Sequence, residues 1–284
     1  MQQAAESHQD WIGRTETATD MITQRMAAHM AATLGRDDPP PRPGDPFPVG
    51  WQWMVCAVAA LPAEVGPDGL PARAGLLPPI PLPRRMWAGG RMTIHQPLKV
   101  GEAVRRTTEL KSLVHKEGRS GAIAFATLKH DFAGEAGLAI EEEMDVAFRA
   151  EKTEDEQAPP PVPAPAAAVW QRTITPDPLL LFRYSALTFN GHRIHYDRPY
   201  TMEVEGYPGL LVHGPLIATC LFDLMRRSTE RAPASLSFRA MRPLYDTAPF
   251  EVCGAPTEDG TGCVLWALDP DDAVAMQVQV AFDD

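Results

Sequence analysis

Cysteine is scarce in this chain: there are four, Cys56, Cys220, Cys253 and Cys263, and no two form a C-x-x-C pair. That spacing supports neither a thiolate zinc site nor a dithiol redox motif, and it fits reduced thiols. Positive charge is also in short supply, with 26 Lys and Arg against 37 Asp and Glu and a net charge of -11. Nucleic acid is excluded as a partner, because phosphate binding needs clustered cations. A few local arginines can still hold a small anion. Long apolar runs are missing, so no membrane span is expected. A basic segment followed by an apolar stretch is missing too, so no secretory signal is expected. The expectation is a cytoplasmic protein.

What is present suffices for a core: 44% of the 284 residues are apolar, enough for one large domain or two small ones. Ala18, Ile22, Met26, Met30 and Leu34 recur at a four-residue step. That stripe predicts an amphipathic helix capped by Thr15 or Thr17 and ended by Gly35. A Pro-rich stretch and the apolar run WQWMVCAVAALP follow, then a long Pro/Gly-rich loop over 62–83. Alternation in RRMWAGGRMTIHQ predicts a strand, with Gly89-Gly90 marking a bulge or a close backbone approach. Three more strands with short turns make an antiparallel meander up to residue 150.

Residues 151–169 turn charged and then Pro/Ala-rich, an extended linker and the best boundary in the chain. Beyond it the recipe repeats. A short strand near Thr173-Ile174-Thr175 and a helix over PLLLFRYSALT lead to a crowded polar stretch, 184–215. Pro215 then opens an apolar helix, and four strands finish the chain. One helix joined to an antiparallel meander, present twice, predicts an α+β double hotdog: two antiparallel sheets, each wrapped around a long helix.

The polar stretch reads Y-S-A-L-T-F-N-G-H-R-I-H-Y-D from Tyr184 to Asp197. It resembles the signature of the MaoC-like, or R-specific enoyl-CoA hydratase, family, in which an Asp and a His five residues later hold a catalytic water. His195 falls on the family's His, Asp197 on the Asp that follows it, and Asn190 where the family has its catalytic Asp. The form T-F-N-x-H-R-I-H-Y-D, with R-R-M-W-A-G-G at 84–90, is similar to a branch: the type 2 hydroxyacyl-thioester dehydratases and mesaconyl-CoA or itaconyl-CoA hydratase-like proteins.

The resemblance implies a hydro-lyase that reversibly adds water to a 2-enoyl-CoA thioester, in a catalytic hotdog at 170–284 beside a non-catalytic one at 1–150. His195 would be the proton carrier, since imidazole titrates near neutral pH. Asn190 could orient a water but cannot take a proton. Gly214 would offer a backbone N–H at a helix start to the thioester oxygen. Tyr184, His213, Arg193, Arg84, Arg85 and Trp87 would surround the substrate. The arginines would hold a phosphate of coenzyme A or a free carboxylate on the acyl group. A fatty chain would instead need an apolar tunnel through the non-catalytic half. Implied beyond this are coenzyme A only as part of the substrate, no metal, and a monomer or homodimer. A 3-hydroxyacyl-carrier-protein dehydratase, a hotdog thioesterase and a silent acyl-CoA-binding protein are the competing readings.

Overall fold

The computed structural model describes residues 8–71, 75–118, 121–150 and 160–283. Its first strand, β1 (Thr15–Met21), lies where the periodicity predicted a helix. Thr15, Thr17 and Thr19 are β-branched and suit an exposed edge strand, and β1 pairs antiparallel with a later strand, Thr15 opposite Glu109 and Met21 opposite Ala103. The helix therefore starts late and is short. α1 spans Gln24–Thr33, and the Thr23 hydroxyl, not Thr15 or Thr17, caps it by accepting from the Met26 N–H.

A short pair, β2 (Pro46–Phe47) with β4 (Leu98–Lys99), flanks the main sheet. The rest of the first half is β3 (Arg84–Ile94), β5 (Ala103–Gly118), β6 (Gly121–Gly134) and β7 (Gly137–Arg149). The second half holds β8 (Trp170–Ile174), α2 (Pro178–Thr188), α3 (Gly214–Ser228) and β9 (Pro233–Ala240). It closes with β10 (Phe250–Pro256), β11 (Gly262–Leu268) and β12 (Val274–Phe282). The linker expected at 151–169 is only partly visible: 151–159 lie outside the described residues, and 160–169 are irregular.

The two halves share one ten-stranded antiparallel sheet, ordered β1-β5-β6-β7-β3-β9-β12-β11-β10-β8. They join where β3 pairs with β9, Gly90 opposite Phe238. Gly89 and Gly90 make this seam possible. A Cβ on Gly89 would sit 2.3 Å from the Phe238 carbonyl oxygen, and one on Gly90 2.5 Å from that of Glu143. The expected bulge is there too, between Trp87 and Gly89 against β7.

α3 is the axis of the second half, with every residue from Leu216 to Met225 buried. The run includes one charge, Asp223, held by Arg36 of the first half and by Arg172 and Arg227 of the second. A buried carboxylate is tolerable only when so paired, and this one ties the halves together. Among the described residues no helix is long and apolar enough to cross a membrane.

Candidate active site

The site lies between the end of α2 and the start of α3. Pro178 at the first position and Asp177 at the cap start α2, with the Asp177 carboxylate accepting from the Leu180 N–H at 2.8 Å. The helix stops at Phe189, which takes a left-handed conformation at φ 50. Asn190 then turns the chain: its Oδ1 accepts from the His192 N–H at 3.0 Å. A 3-10 turn, Arg193–His195, follows and buries His195.

His195 is 6% exposed, and its Nδ1 lies 2.7 Å from the Leu211 carbonyl oxygen. A carbonyl only accepts, so Nδ1 carries the proton and Nε2 presents a lone pair. Burial pushes this imidazole down to about 3, opposed by the bond to Leu211 and aided by His192. His195 is thus neutral at physiological pH, in one tautomer. His213 stacks on it, centroids 3.6 Å apart and planes 18° apart. His213 is held in turn by Ser185, Oγ to Nε2 at 2.8 Å, and by the edge of Tyr184. Burial first, then His195 and His192, pushes the His213 imidazole well down. Tyr184 is buried 3.4 Å from the Thr219 hydroxyl, and burial pushes its phenol up.

His213 caps α3 through its backbone alone, and Gly214 begins the helix. Pro215 has no N–H, so in the first turn Gly214 and Leu216 present unpaired donors at the positive end of the dipole. Space dictates the glycine: a Cβ there would meet the Trp87 ring at 2.7 Å. Trp87 cannot yield easily, because its ring stacks on Phe238 at 4.8 Å and is edged by Trp53.

One cavity of about 2100 Å³ runs from the second half into the first; His213, expected around the substrate, does not line it and instead backs His195. Tyr184, Asn190, His192, His195 and Gly214 line it from one side, and Arg84, Arg85 and Trp87 from the other. Arg85 is partly buried, and burial pushes its guanidinium down from its usual value. Among the described residues no carboxylate pairs with it; Asp68 acts on it only through its field. Burial, with the Arg85 charge second, holds the nearby His192 at about 4.

Arg193 lies elsewhere than expected. Its guanidinium binds Asp197 through Nε and Nη2 at 2.9 and 2.7 Å, donates to the Pro67 carbonyl and covers the Tyr200 ring. It does not line the cavity. It fastens a first-half loop onto the site: the Arg193 N–H donates to the Asp68 carbonyl, and Gly69 packs on Gly191 so closely that a Cβ would meet its oxygen at 2.0 Å. Asp197 serves as the partner of Arg193 in this clamp. Sequence reasoning missed Leu211 and Ser185, and it found the Pro/Gly-rich loop over 62–83 but not that its 66–70 part docks on the site. Leu211 works through its backbone, and the docking rests on contacts no local pattern contains.

A model of hydroxyacyl-thioester dehydratase type 2 matches residues 50–246. The mesaconyl-C(4)-CoA hydratase of Chloroflexus aurantiacus is 45% identical over 275 residues, spanning 95% of this chain and 96% of that protein. Among solved structures, a MaoC-like dehydratase from Phytophthora capsici aligns at a TM-score of 0.69 and 15% identity, over 96% of each chain. A Mycobacterium tuberculosis protein with a double hotdog fold aligns at 0.57 and 14% identity, over 95% of this chain and 96% of that one. The fold is the double hotdog, with its two sheets merged edge to edge.

Proposed function

The chain belongs to the hydroxyacyl-thioester dehydratase type 2 family, and from that premise we propose that it reversibly hydrates a 2-enoyl-CoA thioester whose short, branched acyl group carries a second carboxylate. The observation that carries this reading is a neutral His195 with its Nε2 lone pair free, in one cavity with the Gly214 N–H and an Arg85 that has no ion-pair partner among the described residues.

A water sits between the Asn190 amide and His195 Nε2. The imidazole takes one proton as the water oxygen bonds to C3. Electrons shift from the double bond onto the thioester oxygen, which accepts a hydrogen bond from Gly214. The imidazolium then returns its proton to C2 on the same face, so one residue serves as base and acid. An imidazole held near 3 in the empty site is a weak base. The substrate carboxylate and the developing enolate oppose that, because nearby negative charge stabilises the imidazolium. Arg85 holds the carboxylate, since a partly desolvated guanidinium without a partner is costly until an anion fills its place. Arg84, which lines the same cavity, is suited to a phosphate of coenzyme A.

Incubation with mesaconyl-C(4)-CoA and with crotonyl-CoA tests the reading. Enoyl absorbance should fall without release of thiol, and the diacid should be preferred. Arg85→Gln should raise KM for the diacid by about tenfold, the size of one charge-assisted hydrogen bond, and leave crotonyl-CoA nearly unchanged. Release of free thiol would instead mean a thioesterase.

A further inference from the structure

The cavity is about twice the size of a large small-molecule site, and a short branched acyl group leaves its far end empty. That end lies in the first half, over the inner face of β5, β6 and β7. Most of its floor is apolar, with Leu128, Met144 and Val146 among the lining residues. Across that floor runs a polar row. Thr108, His130 and Glu142 are opposite one another on adjacent strands, and Arg106 stands beside them, two residues before Thr108 on the same face. Arg106, Thr108 and His130 all line the cavity.

Arg106 and His130 in the row can each donate to an anion. The Nε of Arg106 is sealed from solvent without a hydrogen-bond partner, and among the described residues no carboxylate is ion-paired with it. His130 is buried, with Nδ1 2.9 Å from the Thr108 hydroxyl. When that hydroxyl donates, Nε2 carries the proton and becomes a donor. Burial, with Arg106 second, pushes His130 down to about 3, so it offers an N–H without competing charge. Glu142 is the nearest acid. Its Oε1 accepts from the Trp53 Nε1, its Oε2 has no partner, and burial pushes its carboxyl up to about 7. About half of its charge remains at neutral pH, drawn toward Arg106, and an anion that seats there is favoured when Glu142 takes up a proton. A tunnel for fatty chains would be badly served by such a row, because each buried polar group would face methylenes.

We propose that the row holds a second carboxylate site, at Arg106 and the His130 Nε2–H with Thr108 fixing the imidazole, which admits longer 2-enoyl-CoA thioesters carrying a carboxylate at the far end of the acyl chain. The inference rests on the reading of the His195 site as a hydratase of dicarboxylic enoyl-CoA. The short acyl group ends at Arg85; the longer one passes it along the apolar floor. By register His130 is level with Met92 on β3, two strands across and seven residues beyond Arg85, and one cavity is lined by both Arg85 and His130, so the row is open only to an extended chain that runs along the floor.

The test compares the purified full-length protein on mesaconyl-C(4)-CoA, 2-octenedioyl-CoA, 2-decenedioyl-CoA and 2-decenoyl-CoA. The enedioyl thioesters should be hydrated, with kcat/KM at least about tenfold above 2-decenoyl-CoA, again the size of one charge-assisted hydrogen bond. Arg106→Gln should erase that preference and leave mesaconyl-C(4)-CoA untouched, while Arg106→Lys should restore part of it. Turnover of mesaconyl-C(4)-CoA without preference for the long diacids overturns the second site and leaves the hydratase reading intact. An equal loss on all substrates in Arg106→Gln also overturns it, as a structural effect. Failure of wild-type protein on every thioester overturns both.

Discussion

Mild acid should unfold this protein more readily than an ordinary globular domain. His130 and His195 are 8% and 6% exposed, and burial holds both near 3. Below the ordinary histidine range the unfolded chain binds their protons and the folded chain does not, so stability falls with pH. Between pH 7 and pH 5 linkage makes this about 2 kcal/mol for each imidazole. His213, also pushed down by burial, acts in the same direction. Glu142 acts in the opposite one. Its folded carboxyl is raised to about 7, so it destabilises the fold at neutral pH and that cost fades on acidification. It offsets about 2 kcal/mol over the same interval. The net loss is thus at least about 2 kcal/mol, a large share of a typical stability of roughly 5–15 kcal/mol. Urea unfolding followed by tryptophan fluorescence at the two pH values measures it. Glu142→Gln removes the opposing group, so its loss should steepen to about 4 kcal/mol for the two histidines alone. Equal stability at the two pH values, or a Glu142→Gln protein less acid-sensitive than wild type, would refute the reasoning.

Three substitutions probe the site itself. His195→Ala should lower kcat for mesaconyl-C(4)-CoA by about 10²–10⁴, the usual worth of a positioned acid–base group, with unchanged circular dichroism. Gly214→Ala drives a methyl into the Trp87 ring at 2.7 Å. Its expected cost is about 1–3 kcal/mol of stability from overpacking, and about 10²–10³ in kcat if the N–H is displaced. Thermal melts and steady-state kinetics separate the two. Gly69→Ala meets the Gly191 carbonyl at 2.0 Å from a backbone at φ +87. It should lift the 66–70 loop, weaken activity and expose 190–193 to proteolysis, whereas Gly44→Ala, in open space, should do neither.

The second half was legible because its signals agree. Pro215 opens α3, apolar residues follow at helical spacing, and the strands behind it alternate with clear turns. The first helix misled because a four-residue stripe crossed a run of threonines whose preference is extended. Pairing with β5, which no local pattern contains, decided the matter. His195 and Asn190 stood out by their string, but the tautomer of His195 depends on a carbonyl sixteen residues away. Arg193 looked like a ligand-binding cation within that string, but its i+4 neighbour Asp197 and the Pro67 carbonyl of the docked loop take it instead. The row at Thr108, His130 and Glu142 was present as strand parity. His130 shares a face with Ala124, Ala126 and Leu128, so its inward direction could have been counted.

Two identical hotdogs bound by symmetry would be under a shared constraint: whatever shortens one helix shortens the other, and whatever hollows one sheet hollows both. Here a single chain carries both copies, and its helices differ, ten residues in α1 against fifteen in α3. On the proposed mechanism the long helix would supply the N-terminus against which charge develops. The cavity opens over the sheet of the half that carries the shorter helix. A single chain joined at β3 and β9 is free to place reaction in one half and selection in the other, a division of labour closed to a symmetric pair.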